Sequence, residues 1–497
     1  MVLKEKRDKL DEMDLRILAL LNDRFTLAED IARYKDENGV PFHDDVREAE
    51  QMSKLAPLME EIKKPYLKKI FKEIMHQSAE FQQAFVLRYG LLGRKLGHSF
   101  SPQIHKELGG YEFGLIEKEP EELEKFMTDK HFSGICVTIP YKRDVMKYCS
   151  SISGVSQATN SVNVVVKQED GTLRGDNTDY YGFRYMVESA DMKIKGMNCI
   201  VLGTGGVSGT VKKALEDMGA ASIVMISRTG KNNYDNIAKQ YGADIIVNTT
   251  PVGMYPNNGE AAVDVTKFRK LKGVVDLIYN PLKTKLILDA EAMGVPAIGG
   301  LKMLVAQAAK ACNLFTGKEI PDEEIERVTD KIRREQESIA IIGMPGAGKT
   351  SMGKILALRI GKEFIDCDHL VKQMTGFSPA EIIEQDGEDA FRKIETEALK
   401  KALAKGNCVV ATGGGVVERN INRSILRENS TVIYIKRELK ALPVKGRPVS
   451  QAQGLEAIYN RRNPKYEEWS DIQIDNIGVG RTANKVANIL GYERKEK

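Results

Sequence analysis

The stretch Ser338-Ile-Ala-Ile-Ile-Gly343-Met-Pro-Gly346-Ala-Gly348-Lys349-Thr350 decides how much of the chain folds. An apolar, β-branched run leads into a glycine-rich turn, a lysine and a hydroxyl residue. That order predicts a buried strand, a phosphate-binding loop and a helix from Lys349. Backbone N–H groups at Gly343, Gly346 and Gly348 would surround phosphates, Lys349 would reach the outer ones and Thr350 would ligate magnesium. Upstream, Cys199-Ile-Val-Leu-Gly203-Thr-Gly205-Gly206-Val-Ser repeats the strand–turn–helix order without the lysine. Such a turn suits a dinucleotide. Two phosphate loops of different type on one chain imply both a redox reaction and a phosphoryl transfer.

With 497 residues, 42% hydrophobic and 29% charged, the chain is expected to form two to four globular domains. A net charge of +4 gives no case for nucleic acid or a membrane surface, and no apolar run is long enough to span a bilayer. The six cysteines are scattered with no Cys-x-x-Cys pair. That spacing disfavours zinc and disulfides and suits a reducing cytoplasm. The first residues, Met-Val-Leu-Lys-Glu-Lys-Arg-Asp, carry no apolar signal core.

Downstream of the second loop, Asp366-Cys-Asp368 follows the predicted strand Phe364-Ile. With two carboxylates at a strand end, one could serve a metal and the other a substrate hydroxyl. Then come Phe391-Arg392-Lys-Ile-Glu395, Gly413-Gly414-Gly415, Arg447-Pro448 and Arg461-Arg462-Asn-Pro464-Lys-Tyr466. Separated arginines beside an open glycine run suit a small hydroxylated anion; each alone is as readily surface charge or a turn. In this order the set resembles shikimate kinase over 338–490. The resemblance implies that Asp368 orients the shikimate 3-hydroxyl and accepts its proton, and that Asp366 serves magnesium. It implies that Arg392 and Arg462 grip the carboxylate, with Gly413, Gly414 and Gly415 lining the pocket. Arg447 would sit on the lid and neutralise phosphoryl charge with Lys349. Between Tyr434 and Arg447 the chain is several residues shorter than the usual lid.

Around the first loop, the following strand ends Ser227-Arg228-Thr229. A site for NAD usually places an acid near this point; an arginine among small hydroxyls suits a 2′-phosphate instead. NADP is therefore the expected cofactor. Flanking it are Gly97-His98-Ser99-Phe-Ser101, Val137-Thr138-Ile-Pro-Tyr-Lys142, Asn163, Asp176-Asn-Thr-Asp179, Asn248-Thr-Thr-Pro-Val-Gly-Met254, Asp276-Leu-Ile-Tyr279 and Gly300 through Gln307. Ketone reduction needs a proton donor at the forming alkoxide, and Lys142 with Asp179 is the nominated pair. A structural role is expected for His98. The ordered set resembles shikimate dehydrogenase over 87–318. The likeness implies that Ser99 and Ser101 bind the substrate carboxylate. It implies that Thr138, Lys142, Asn163, Asp179, Tyr279 and Gln307 surround the ring, with Lys142 and Asp179 catalytic. Gly203, Gly205, Gly206, Ser227, Arg228, Thr229 and Gly300 would hold the cofactor. Cys136 and Ser227 each replace an asparagine usual there, and the first substitution is expected to loosen the substrate loop.

Residues 1–84 read as helix, with Leu10, Met13, Ile17, Leu20, Leu21, Leu27 and Ile31 in helical period and a break at Gly39-Val-Pro41. Arg24 and Lys35 are about three turns apart and share a face. Arg7 lies roughly 25 Å before Arg24 along a straight helix and cannot join one small-molecule site within a single chain. Arg7, Arg24, Lys35, Asp44, Arg47, Glu48 and Gln82, in this spacing, resemble the all-helical class of chorismate mutase. That likeness implies an intertwined homodimer in which the partner supplies Arg7. Arg7, Arg24 and Arg47 would bind carboxylates, and Lys35 and Gln82 the ether oxygen where charge grows. Asp44 and Glu48 would orient the ring hydroxyl and its neighbours.

The expected fold class is multidomain: an all-α N-terminal domain (1–86), an α/β dehydrogenase-like domain (87–318), a charged linker (319–337) read as solvated, and an α/β P-loop domain (338–497). Within the middle part, 87–190 plus 285–318 form the expected substrate subdomain and 191–284 the Rossmann subdomain. The expected cofactors are NADP(H), ATP and Mg2+, and the expected substrates 3-dehydroshikimate, shikimate and chorismate. Two alternatives remain open from sequence. The helical front could be a prephenate- or chorismate-sensing dimerisation module, and the middle could be an NAD-dependent quinate/shikimate dehydrogenase.

Overall fold

The computed structural model describes residues 2–38, 40–85, 88–97, 99–404, 406–442 and 454–492. The chain divides into two compact units: 1–177 with 311–319, and 178–310 with 320–497. Among the described residues no helix is long and apolar enough to cross a membrane.

The first unit opens with the helices Val2–Glu37, Asp45–Leu55 and Lys64–Phe85. The first runs 36 residues because no glycine or proline interrupts it. Asp44 starts the second, its side chain accepting the Arg47 N–H at 2.9 Å. Ala28 and Ala32 on the first helix and Met75 and Ala79 on the third are buried. Phe25 meets Phe81 edge to face between these helices, centroids 5.0 Å apart. By contrast Leu10, Met13, Ile17 and Leu20 are 57%, 57%, 53% and 68% exposed.

The same unit continues into a six-stranded sheet of β1 (Tyr89–Gly93), β2 (Gly114–Glu117), β3 (Gly134–Val137), β4 (Ser151–Ile152), β5 (Val164–Lys167) and β6 (Leu173–Asp176). Its order is β2-β1-β3-β5-β6-β4. β1, β2 and β3 run parallel, and β5 is antiparallel to β3 and β6. All four residues of β3 are buried, as expected of a central strand.

The second unit holds two all-parallel sheets. One contains β7 (Asn198–Leu202), β8 (Ser222–Ile226), β9 (Ile245–Asn248), β10 (Gly273–Asp276) and β11 (Ala297–Ile298), in the order β11-β10-β9-β7-β8. The other contains β12 (Ser338–Ile342), β13 (Glu363–Asp366), β14 (Cys408–Ala411), β15 (Ser430–Lys436) and β16 (Ile472–Asp475), in the order β13-β14-β12-β15-β16. Both are doubly wound arrangements, in which ligands bind at the carboxyl ends of the strands.

Two expected boundaries need correction. The helix Thr178–Ser189 buries Phe183, Met186 and Val187 against Val201, Val211 and Val247, so it belongs with the cofactor-binding sheet and not with 87–177. Residues 285–298 join that sheet too: Leu286 and Ala290 enter its core and β11 extends it beside β10. The stretch 319–337 is not a solvated linker. It forms the helix Asp322–Gln336 with Ile325, Val328, Thr329 and Ile332 buried. Its carboxyl end is held by Lys362, whose Nζ donates to the carbonyls of Arg334 and Glu337, both at 2.6 Å.

Candidate functional site

The phosphate loop lies where the sequence places it, between β12 and the helix Lys349–Ile360. Gly343, Gly346 and Gly348 have φ of 143°, 83° and 102°, values that favour glycine. Lys349 is buried, and its Nζ donates to the carbonyls of Gly343 and Met344 at 2.9 and 3.1 Å. Thr350 Oγ1 donates to Asp366 Oδ2 at 2.7 Å. A hydroxyl and a carboxylate oxygen side by side form a hard donor set that fits magnesium.

Strand alternation would put Asp366 and Asp368 on one face, but the chain leaves the strand between them. β13 ends at Asp366, which caps the next helix by accepting the N–H groups of Asp368 and His369 at 3.0 and 3.2 Å. Asp368 lies in that helix's first turn. Its side chain is exposed at the surface, with Lys349, Asp366 and Arg392 near enough to act on the carboxyl. Desolvation raises its carboxyl pKa and Asp366 adds to the rise, while Lys349 and Arg392 oppose it.

Around Asp368 the expected anion-binding groups converge. A Cβ at Gly413 would collide with Glu395 and come within 3.1 Å of Asp368 Oδ1, and one at Gly415 would collide with the Arg392 guanidinium. Glycine here opens the pocket wall to both charges. Arg392 is buried, donating to Glu395 at 2.8 Å and Glu388 at 2.7 Å, with its Nε unpartnered. Arg462 donates to Glu418 at 2.5 Å and to the Gly414 carbonyl at 3.1 Å, while its Nη2 makes no hydrogen bond and lies 3.9 Å from Glu388. Buried guanidinium N–H groups left open are what an incoming carboxylate would satisfy. Burial pushes the Glu395 carboxyl up against the pull of Arg392. Burial also opposes ionisation of Glu418, yet Arg462 and Arg461 hold its carboxyl below the ordinary range. Glu388, Glu395 and Glu418 carry no role in the sequence reading. The helical spacing of Glu388, Arg392 and Glu395 was the available signal. Arg447 lies outside the described residues.

The cofactor-binding sheet presents a pocket of about 680 Å3 lined by Gly203, Gly205, Ser227 and Arg228, and also by Tyr234, Thr249 and Thr250. Gly203 has φ 101°, and a Cβ there would meet Thr249 Oγ1 and Thr250 Cγ2, each at 2.9 Å. At Gly205 and Gly206 a Cβ would meet nothing within 4 Å, which leaves the turn open to a ligand. Ser227 Oγ donates to the Thr229 carbonyl, shaping the turn that carries Arg228. An arginine and several hydroxyls in one pocket fit a dinucleotide bearing an extra phosphate.

Thr249 and Thr250 carry no role in the sequence reading, although they fall in its stretch Asn248–Met254. Their loop is tied down by Asn248, whose Oδ1 accepts from Thr250 N and Oγ1, and whose Nδ2 donates to buried Asp276 at 3.0 Å. Burial lifts the Asp276 carboxyl to about 6. Past Asp276, a Cβ at Gly300 would strike the Leu277 backbone, and Gly300 N–H donates to the Ile278 carbonyl at 2.9 Å. Burial raises the pKa of the neighbouring Tyr279 phenol. Asp179 is buried at the start of the helix Thr178–Ser189, and the preceding Thr178 donates to Gln307 Oε1 at 3.4 Å. Asp179, Tyr279, Gly300 and Gln307 thus belong to the second unit.

Ser99, Ser101, Thr138, Lys142 and Asn163 belong to the first. Ser101 N–H donates to Ser99 Oγ at 3.2 Å. Thr138 N–H donates to the Leu92 carbonyl, Val137 N–H to that of buried Asn163, and Val162 N–H to that of Lys142. These bonds fasten Thr138, Lys142 and Asn163 to the carboxyl end of β3. Cys136 stands in β3, just ahead of this loop. Its side chain lies in the core with Phe113, and its Sγ sits 3.7 Å from Nε2 of His105, whose pKa burial lowers to about 3. His98 lies outside the described residues.

In the helices Lys35 Nζ donates to the Phe42 carbonyl at 2.9 Å. Gln82 is buried with its Oε1 unpartnered. Arg24 and Glu48 are half-buried, whereas Arg7, Asp44 and Arg47 are exposed.

Known families match in the same order along the chain. Chorismate mutase type II matches residues 6–83 and the shikimate dehydrogenase substrate binding domain residues 91–165. The shikimate 5'-dehydrogenase C-terminal domain matches 300–328 and shikimate kinase 345–489. Shikimate dehydrogenase (NADP(+)) of Clostridium perfringens (strain SM101 / Type A) is 35% identical over 266 residues, covering 49% of this chain and 98% of that protein. The enzyme of the same name from Methanocaldococcus jannaschii is 35% identical over 277 residues, covering 49% and 97%. A crystal structure of a chorismate mutase/shikimate 5-dehydrogenase fusion protein from Clostridium acetobutylicum overlaps with a TM-score of 0.47 at 35% identity, over 49% of this chain and 96% of that one. The chain belongs to the shikimate dehydrogenase family, and the same polypeptide carries a chorismate mutase type II segment before that part and a shikimate kinase segment after it.

Proposed function

We propose that this chain is a trifunctional enzyme of aromatic amino acid biosynthesis. It reduces 3-dehydroshikimate to shikimate, phosphorylates shikimate on its 3-hydroxyl and rearranges chorismate to prephenate. The convergence of Lys349, Asp368, Arg392, Arg462 and Gly413–Gly415 in one parallel-sheet unit with an arginine-bearing dinucleotide pocket carries the reading. Bound NADPH supplies the hydride and bound MgATP the phosphoryl group. In the reduction, Lys142 gives a proton to the oxygen of the reduced carbonyl, with Asp179 as its partner in the relay. Ser99 and Ser101 hold the carboxylate, while Thr138, Asn163, Tyr279 and Gln307 orient the ring. In the phosphorylation, Asp368 takes the proton of the 3-hydroxyl while Arg392 and Arg462 fix the carboxylate. Thr350 and Asp366 would hold the magnesium, and Arg447 joins Lys349 in neutralising charge. We place the enzyme in the cytoplasm. Purified protein should turn over chorismate alone, 3-dehydroshikimate with NADPH, and shikimate with MgATP. Absence of any one activity removes that third of the reading, and prephenate altering the other two rates without mutase turnover would make the helical part a sensor.

Arg228→Ala should raise KM for NADPH roughly ten- to hundredfold and leave KM for NADH unchanged, since a charge-assisted hydrogen bond contributes about 1.5–3 kcal/mol. Equal use of both cofactors by the unmutated enzyme would remove Arg228 from the site and favour the NAD-dependent alternative.

The helical segment acts as a homodimer in this reading. The exposed row Leu10, Met13, Ile17 and Leu20 supports it, as does exposed Arg7, too far along the helix to serve its own Arg24. Leu10→Glu with Ile17→Glu should give monomers by light scattering and cut mutase turnover about 10²-fold or more, the scale for losing one charge-stabilising group. Dehydrogenase turnover should persist. A monomeric variant with full mutase activity would reject a shared site.

A further inference from the structure

The helix Ile421–Asn429 of the phosphate-loop fold ends against turns of the cofactor-binding fold, within the second compact unit. Lys283 N–H donates to the Glu428 backbone carbonyl at 2.9 Å and Leu282 N–H to Asn429 Oδ1 at 2.7 Å, so the helix end finds its partners in the other fold. Beside these bonds lies a cavity of about 650 Å3. Tyr255, Pro256 and Pro281 wall it on one side, and Leu403, Ile421 and Ile425 on the other. That size is ordinary for a small-molecule site.

Glu428 lines the cavity and is only 3% exposed. Its Oε2 accepts from the Asn258 amide, and the Gly259 backbone N–H is close enough to the carboxylate to favour its charged form. Oε1 makes no hydrogen bond, and no lysine or arginine among the described residues pairs with this acid. Burial raises its pKa, and Lys400 and Lys285 counter the rise from a distance. Those two lysines and Lys401 also line the cavity. Lys285 pairs with Asp289 at 2.6 Å and Lys400 with Glu397 at 3.0 Å, each on its own helix; Lys401 has no acidic partner among the described residues.

A buried carboxylate with an open oxygen is costly until a donor, best a cationic one, reaches it. Glu260 and Glu397 line the cavity beside the three lysines, so the edge offers both signs of charge and suits a ligand that carries both. The aromatic, proline and aliphatic walls favour an apolar body on that ligand. We propose that this cavity binds a free α-amino acid with a large apolar side chain. Its ammonium donates to Glu428 Oε1, its carboxylate faces Lys400 and Lys401, and its side chain lies on Tyr255, Pro281 and Ile425. The inference is independent of the reactions assigned above.

Calorimetric titration of the full chain tests it, with shikimate and NADP present to fill the active sites. L-phenylalanine or L-leucine should bind saturably. N-acetyl-L-phenylalanine, lacking the ammonium, should bind at least tenfold more weakly. Glu428→Gln should lose at least tenfold in affinity while dehydrogenase and kinase turnover at saturating substrate stay unchanged. Should that variant not fold, Lys400→Gln with Lys401→Gln, both at exposed positions, serves in its place: amino-acid binding should weaken, whereas phenethylamine, lacking the carboxylate, should bind it no worse than it binds the unmutated chain. No binding of either amino acid, equal binding of the N-acetyl compound, or unchanged affinity in the variants that fold would overturn the proposal.

Discussion

Asp368→Asn is expected to lower kinase turnover by about 10²–10⁴-fold, the usual contribution of a positioned general base, and to leave dehydrogenase turnover unchanged. The substitution keeps size and polarity, and Asp368 caps no helix; Asp366 does that. The loss should fall on kcat, because Arg392 and Arg462 rather than Asp368 hold the carboxylate. A raised KM at normal kcat would make Asp368 a binding group instead. The unmutated kinase carries a second signature. Desolvation and Asp366 raise the Asp368 pKa, and the ionised form is the one that accepts a proton. Turnover should therefore fall as pH drops through that raised value, earlier than an ordinary aspartate would dictate. A profile flat down to the ordinary aspartate range would show that no such proton is taken.

How much of this is legible in sequence depends on how local the chemistry is. The loop from Gly343 to Thr350 can be read because eight adjacent residues contain its strand exit, its backbone cradle and its charge. Gly203 and Arg228 can be read because a strand–turn–helix and the next strand end lie in fixed succession. Thr249 and Thr250 reach the same pocket only because β9 lies beside β7, which spacing along the chain does not reveal. Glu418 likewise matters through Arg462, which the fold brings against it from another helix. The stretch 319–337 misleads for another reason. Its charge count outweighs the period of Ile325, Val328, Thr329 and Ile332, which is the i, i+3, i+4, i+7 stripe of a packed helix. Asp366 and Asp368 would share a face of a continuing strand, and it is the helix cap at Asp366 that sets their directions instead.

Cys136 departs from the family pattern, and its side chain lies in the core beside His105 and Phe113. Fixing Thr138, Lys142 and Asn163 falls instead to backbone bonds that any residue at Cys136 would leave intact. Residue identity at a motif position and backbone placement of that motif are therefore separate questions, and only the first is visible in one sequence.

Lys142→Met should lower 3-dehydroshikimate reduction by about 10²–10⁴-fold, with shikimate phosphorylation unchanged. Methionine retains the length and apolar stem of lysine, and the backbone bond from Val162 N–H to the residue 142 carbonyl does not depend on the side chain. Folding should therefore survive, as circular dichroism and an intact kinase rate would verify. Asp179→Asn should act in the same direction. If the two groups transfer one proton as a unit, the double variant should cost about as much as the worse single one, because a disabled pair cannot be disabled twice. If they act separately, the two losses should multiply. Multiplying losses, or a Lys142→Met enzyme altered only in KM, would leave the serine and asparagine contacts as binding groups but would require a different proton donor for the alkoxide.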